Sequence, residues 1–186
     1  SSVSHMGVIL LDIATLNNTG IIGAVLQMTA HGLVAGAMFL LVGLLYERTH
    51  TRNILDYSSL VRVMPRFALF MTITLFAAMG LPGTVGFIAE LHAIIGGFQE
   101  WGNLMILLGV SILIGTAYAM RTIGMLFTGP VKPQMRDIED LKLYELVAAG
   151  VLVVAIVLFG LWPTPLINLS TATMSQMSDI ISQSIQ

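Results

Sequence analysis

The chain has 186 residues, with 8 Lys or Arg, 10 Asp or Glu and a net charge of −2. Charged residues make up 10 % and hydrophobic residues 56 %, and the mean hydropathy is +0.89. Soluble domains average roughly 25 % charge, so a water-soluble single domain is excluded. There is no cysteine, which removes disulfides, thiolate metal sites, Cys-ligated iron–sulfur clusters and cysteine nucleophiles. A near-neutral charge argues against a nucleic-acid partner. Neither Gly-x-Gly-x-x-Gly after a strand nor a Walker A sequence occurs. His5, His31, His50 and His92 fall on different segments without a His-Glu-x-x-His pattern, so no metal site is expected.

The charges cluster. None falls between Asp12 and Glu47, Arg66 and Glu90, Glu100 and Arg121, or Glu145 and Asp179. Uncharged apolar stretches of roughly 18 or more residues mark membrane-spanning helices. The expected fold is all-α, a polytopic transmembrane helix bundle of about five spans. The first, 3–16, is short; the others run over 20–46, 67–98, 103–127 and 144–162. Asn17-Asn18-Thr19, Gly129-Pro130 and Pro163-Thr164-Pro165 punctuate them. Residues 1–162 read as the bundle and 163–186 as a C-terminal interfacial tail, in which Leu166, Leu169, Met174, Met177 and Ile181 recur at helical spacing. The chain opens at Ser1 within a few residues of an apolar run, which leads us to expect a fragment of a larger subunit.

The second span carries His31 near its middle, with Gln27 one turn before it on the same face. Histidine titrates near physiological pH and suits a proton carrier; the alternative is a neutral ring satisfied by a neighbouring helix. His5 reads the same way. Gly32 and Gly36 form a Gly-x-x-x-Gly pair, expected to mark a close helix contact.

The third span is too long for a straight crossing. Its 32 residues would extend roughly 48 Å, against a hydrocarbon core of roughly 30 Å. Gly80-Leu81-Pro82-Gly83 supplies a break. Pro82 lacks an N–H and disfavours helical angles at Leu81, and the glycines free the turn. Thr84 is placed to cap a second half-helix. Broken backbone at membrane depth is tolerated where protein buries it or water lines it, and transporters use it for ion sites. Glu90, beyond the break, is the one Asp, Glu, Lys or Arg between 67 and 98. An intramembrane ionisable group points to function; a structural Glu hydrogen-bonded to a neighbouring helix is the alternative. His92 lies about 200° around the helix from Glu90 and reads as a packing residue. Arg121 reads as snorkelling to the interface, and the 12 methionines as packing filler.

Alternating crossings put 47–66 and 128–143 on one side. These loops hold Arg48, Arg52, Arg62, Arg66, Lys132, Arg136 and Lys142, while 17–19, 99–102 and 163–186 hold no Lys or Arg. The positive-inside rule assigns the basic loops to the cytoplasm or its topological equivalent, such as a mitochondrial matrix.

Several stretches resemble one family. Ser1-Ser2-Val3-Ser4-His5-Met6-Gly7 is similar to the start of a helix in the antiporter-like subunits of respiratory complex I. Gln27-Met28-Thr29-Ala30-His31-Gly32-Leu33 and Tyr46-Glu47-Arg48-Thr49-His50-Thr51-Arg52 resemble the M-type subunit, the bacterial counterpart of mitochondrial NADH dehydrogenase subunit 4. Gly80-Leu81-Pro82-Gly83-Thr84-Val85-Gly86-Phe87, ending at Glu90, resembles the superfamily's broken helix, which sodium/proton antiporter subunits and membrane-bound hydrogenases share. Sister subunits carry a lysine where this chain has Ala35, which favours the M type.

The resemblance implies the second inverted repeat of such a subunit, with one discontinuous helix. It implies a proton path through Glu90, His31 and His5, and a role as proton-translocating membrane-arm subunit of an NADH:quinone oxidoreductase. It implies no cofactor on this chain, with NADH, FMN, iron–sulfur clusters and quinone on other subunits. Expected partners are sister antiporter-like subunits, the missing N-terminal half and lipids. The alternatives are a subunit of a multi-subunit cation/proton antiporter or a related hydrogenase- or ferredoxin-driven complex, and a non-transporting structural subunit.

Overall fold

The structure is a computed structural model, described here for residues 1–173. Each of the five expected spans is helical, the third in two pieces, with no strand among the described residues. Helix α1 (Ser2–Ala14) is followed by a turn in which Leu16 takes a left-handed φ of 52°. Asn17 then caps α2 (Asn18–Thr49), its carboxamide oxygen accepting from the Gly20 N–H at 2.8 Å. The same side chain donates to the Gly96 carbonyl at 2.8 Å, fastening the turn to a distant helix. Helix α2 has 32 residues and ends at His50, whose left-handed geometry returns its N–H to the Tyr46 carbonyl.

The short α3 (Leu60–Val63) leads into α4 (Pro65–Ala78), with proline at its first position, where the missing N–H costs nothing. Asp140 covers the other free donors there: its carboxylate accepts from the Arg66 and Phe67 N–H groups at 2.9 and 3.1 Å. This also suits the positive end of the helix dipole.

Helix α4 stops at Ala78 and α5 (Val85–Trp101) starts seven residues on. Between them Gly80 and Gly83 have φ of 67° and 93°, angles that side-chain-bearing residues rarely adopt. Thr84 occupies the cap position, but not as expected. Its hydroxyl donates back to the Leu81 carbonyl at 2.7 Å, which tightens the break, and makes no cap bond to α5. A tight turn over 102–105 joins α5 to α6 (Ile106–Phe127), and α7 (Leu143–Leu161) completes the bundle. Three stretches are long and apolar enough to cross a membrane: Asn18–Thr49, Val85–Phe127 and Leu143–Leu161. Helices α1 and α4, of 13 and 14 residues, span only roughly 20 Å each.

Helical turns resume at 164–173, with Leu166 and Ile167 packed on the core and Leu169 exposed. The expected tail pattern at Met174, Met177 and Ile181 lies outside the described residues.

Helix α2 is the axis of the bundle, in contact with α1, α4, α5 and α7. In lipid the hydrophobic effect does not drive one helix onto another; close packing does. The close approaches are made by small residues. A methyl group on Gly96 would stand 2.6 Å from the Gly20 nitrogen, and one on Gly86 2.6 Å from the Ala77 carbonyl oxygen. Gly160 of α7 lies against the backbone of Gly83 and Thr84 at the break. The expected contact at Gly32 and Gly36 is not among these: both glycines are exposed, with nothing of this chain within 4 Å of where a side chain would begin. The tight face of α2 is instead the one bearing Gly20 and Gly23.

Both basic loops gather at one end. The Ser59 N–H donates to the Thr128 carbonyl at 3.2 Å, Ser58 Oγ to the Pro130 carbonyl at 2.6 Å, and Lys132 Nζ to the Leu55 carbonyl. Arg48, in the last turn of α2, pairs with Glu145 in the first turn of α7 at 2.5 Å and donates to the Glu139 carbonyl at 3.0 Å.

Candidate functional site

Glu90 lies on α5, one to two turns past the break, and is 9 % exposed. Its carboxyl rests on Gly80. A methyl group on Gly80 would fall onto Glu90 Oε2. The break therefore does two things at one residue: it turns the chain through a left-handed angle and it leaves room for the carboxyl. Among the described residues the Glu90 carboxyl accepts no hydrogen bond from a protein donor.

His5 on α1 and His31 on α2 face each other, with ring centroids 5.3 Å apart and planes tilted by 39°. Gln27, one turn below His31, places its amide nitrogen 2.9 Å from His5 Nδ1. With the nitrogen toward the ring, Nδ1 accepts and the ring proton sits on Nε2. Turning the amide over presents an acceptor to an Nδ1–H instead. Gln27 thus serves either state of the ring.

Three cavities meet at His5. A cavity of about 20 Å³ is bordered by His5, Glu90, Ser4, Ser111, Met79 and Tyr118. This is enough for one water, with polar groups to hold it. A cavity of about 10 Å³ is lined by His5, Gln27, His31 and Gly86, among others. A groove of about 330 Å³ runs outward past Ser1, Ser2, His5, His31, Ala35 and Phe39. His5 therefore borders both the Glu90 cavity and the groove that reaches the surface beside His31. Ser4 and Ser111 link α1 to α6 next to it, with their oxygens 3.4 Å apart.

The three site residues singled out from sequence, Glu90, His31 and His5, lie at one junction of α1, α2, α5 and the break. His92 points elsewhere: its Nδ1–H donates to the Ile88 carbonyl of its own helix at 2.8 Å. Arg121 is exposed on α6. Ala35 borders the groove beside the histidine pair. No group of His, Cys, Asp and Glu suited to a metal ion occurs among the described residues. Sequence reasoning passed over Ser111 and Tyr118, which only the packing of α6 brings to the cavity. It also passed over Asp12, used there only as the edge of an uncharged stretch. Asp12 is fully buried, and its seven-residue spacing from His5 on one helix was the available signal.

A bundle of apolar helices, one of them broken beside a buried carboxyl, defines a polytopic membrane protein of the discontinuous-helix type. The family model for "NADH:quinone oxidoreductase/Mrp antiporter, TM" matches residues 1–116, and the chain belongs to that family. It is 34 % identical over 169 residues to NADH-quinone oxidoreductase subunit M of Rickettsia typhi, covering 90 % of this chain and 34 % of that protein. A chain of respiratory complex I from Thermus thermophilus with bound NADH superposes with a TM-score of 0.82 at 32 % identity, over 90 % of this chain and 36 % of that one. A chain of the Mrp complex from Dietzia sp. DQ12-45-1b shares the fold, with a TM-score of 0.79 at 21 % identity, over 89 % of this chain and 39 % of that one. The chain spans about a third of the length of these relatives.

Proposed function

We propose that this chain belongs to a proton-translocating membrane subunit of an NADH:quinone oxidoreductase, and that protons pass between Glu90 and the His5–His31 pair. The observation that carries the reading is the water-sized cavity shared by Glu90 and His5 at the helix break. A carboxyl without a protein donor, a water site and a ring that exchanges hydrogen-bond roles with Gln27 are the parts a proton relay needs. The likeness to subunit M and to a complex I chain supports placing the relay in such a complex. The redox groups, NADH, FMN, iron–sulfur clusters and quinone, then belong to other subunits, which drive protonation changes here. The partners are sister antiporter-like subunits and the rest of this subunit, and the basic loops face the cytoplasm or matrix.

The test is Glu90→Gln in the assembled complex. The amide keeps the shape of the side chain and removes the exchangeable acid. Proton translocation per NADH oxidised should fall at least tenfold in proteoliposomes, while a native gel shows the complex intact. Unchanged translocation would sink the reading. Exchange driven by a sodium gradient without quinone reduction would move it to a cation/proton antiporter.

A further inference from the structure

Asp12 is a second acidic group inside the bundle, and the path above does not use it. It lies on α1 seven residues after His5, on the same face and roughly 10 Å along the axis. The residue has 0 % exposure, and neither carboxyl oxygen accepts a hydrogen bond among the described residues. Its surroundings are set by three helices. A methyl group on Gly23 of α2 would stand 3.2 Å from Asp12 Oδ2, from His92 Cβ and from the Ala93 nitrogen of α5. The nearby Thr15 hydroxyl is already committed, donating to the Asp12 backbone carbonyl at 2.7 Å.

The charged and titratable groups around it are few. Its own helix offers His5, α5 offers His92, and α2 offers the neutral Gln27 with His31 one turn beyond it. No Lys or Arg occurs between 13 and 46 or between 67 and 99. An ionised carboxylate with no donor and no cation is very costly in such a place. A single carboxylate is also a poor cage for a metal cation, and no group of His, Cys, Asp and Glu suited to one occurs among the described residues. The group that fits is a proton.

A second unpaired atom lies along the same seam. Gln27 Oε1 is buried and accepts no hydrogen bond among the described residues. Gln27 is one helical turn from Gly23, the residue over the Asp12 carboxyl, and its amide nitrogen meets His5. The seam between α1 and α2 thus holds, in order, Asp12, Gln27, His5 and His31. Asp12 stands at the end nearest the 15–19 turn, opposite the basic loops.

We propose that Asp12 is a proton-binding site that extends the His5–His31 path along the α1–α2 seam toward the 15–19 turn. A proton passed on from the Gln27–His5 pair converts the carboxylate to the acid. The acid releases it toward the 15–19 turn and returns to the carboxylate. The role rests on the proton-path reading above; the site itself does not.

The experiment has two readouts on the purified complex. Infrared difference spectra of wild type and Asp12→Asn report the acid directly. The expected result is a carboxylic-acid C=O band, absent in Asp12→Asn, that shifts in D₂O and bleaches as pH rises. In proteoliposomes, Asp12→Asn should lower protons moved per NADH at least twofold, with recovery in Asp12→Glu. No such band, a band that does not shift in D₂O, a band removed by sodium at constant pH, or unchanged pumping in Asp12→Asn would each overturn the assignment. Glu90→Gln separates the two claims. If Asp12→Asn alone is silent, only this site falls; if Glu90→Gln is silent as well, the proton path falls with it.

Discussion

Gly80 and Glu90 compete for the same space, and the competition explains why the break needs glycine at that point. At φ 67° any other side chain strains the backbone, by about 1–2 kcal/mol. A Cβ would in addition fall on the Glu90 carboxyl. Gly83 shares the strain at φ 93° but not the collision, since its nearest neighbour is Leu161 Cδ2 at 3.7 Å. The two glycines can therefore be told apart. Gly83→Ala should cost about 1–2 kcal/mol of stability from backbone strain alone and leave proton translocation nearly intact. Gly80→Ala should cost more and also displace Glu90, so translocation per turnover should drop severalfold. Thermal unfolding of the extracted complex and proteoliposome pumping, measured on both variants, check this. Equal pumping in the two would mean that the carboxyl does not depend on its seat at Gly80. The break was legible in sequence because glycine and proline act locally, through φ and a missing donor. Asp12 was not, because its burial depends on three helices meeting at Gly23. The Gly32 and Gly36 pair meets nothing of this chain for a related reason. Small residues permit a close approach, but they do not say which face of the helix is approached.

At the scale of elements, side chains at helix ends tie the packed helices together. Arg48 joins the end of α2 to the start of α7 through Glu145, and the two side chains are 13 % and 5 % exposed. Glu145 also accepts from the Lys142 N–H at 2.8 Å, so it caps its helix and holds the arginine together. Removing one partner of a buried pair strands the other charge. Arg48→Ala should destabilise the extracted protein by about 3 kcal/mol. Restoring neutrality at Glu145 in the double variant Arg48→Ala, Glu145→Gln should recover part of that loss. Melting temperatures of the single and double variants give the coupling, and strict additivity would show that the two side chains do not act as a pair. Four of the five apolar segments were legible because each contains a charge-free run of membrane-scale length; the first is short and holds Asp12. The tie itself was not, because it joins residues 97 apart in sequence. Thr84 shows the same limit on a smaller scale. Its position at the start of a half-helix was readable, but the direction of its hydroxyl is set by the Leu81 carbonyl across the turn.

For the molecule as a whole, the distribution of charge and the packing of the loops make one statement about topology. Residues 47–66 and 128–143 touch at Ser58, Ser59 and Lys132, so they occupy one end of the bundle. Seven of the eight Lys and Arg lie in these two loops, Arg121 being the other. The turn at 15–19 bonds through Asn17 to Gly96, near the end of α5, which makes the opposite end. Positive charge is retained on the side from which membrane proteins insert. The native chain has no cysteine, so a single introduced one reports its side without background on this chain. Arg52→Cys and Arg136→Cys, both exposed, should react with a membrane-impermeant maleimide from the cytoplasmic or matrix face only. Glu100→Cys, exposed in the last turn of α5, should react from the other face only. If Arg52→Cys and Arg136→Cys react from different faces, the paired-loop topology fails. If all three labels are mirrored, the helices stand but the direction of the proton path reverses, and the 15–19 turn opens to the side where protons are taken up.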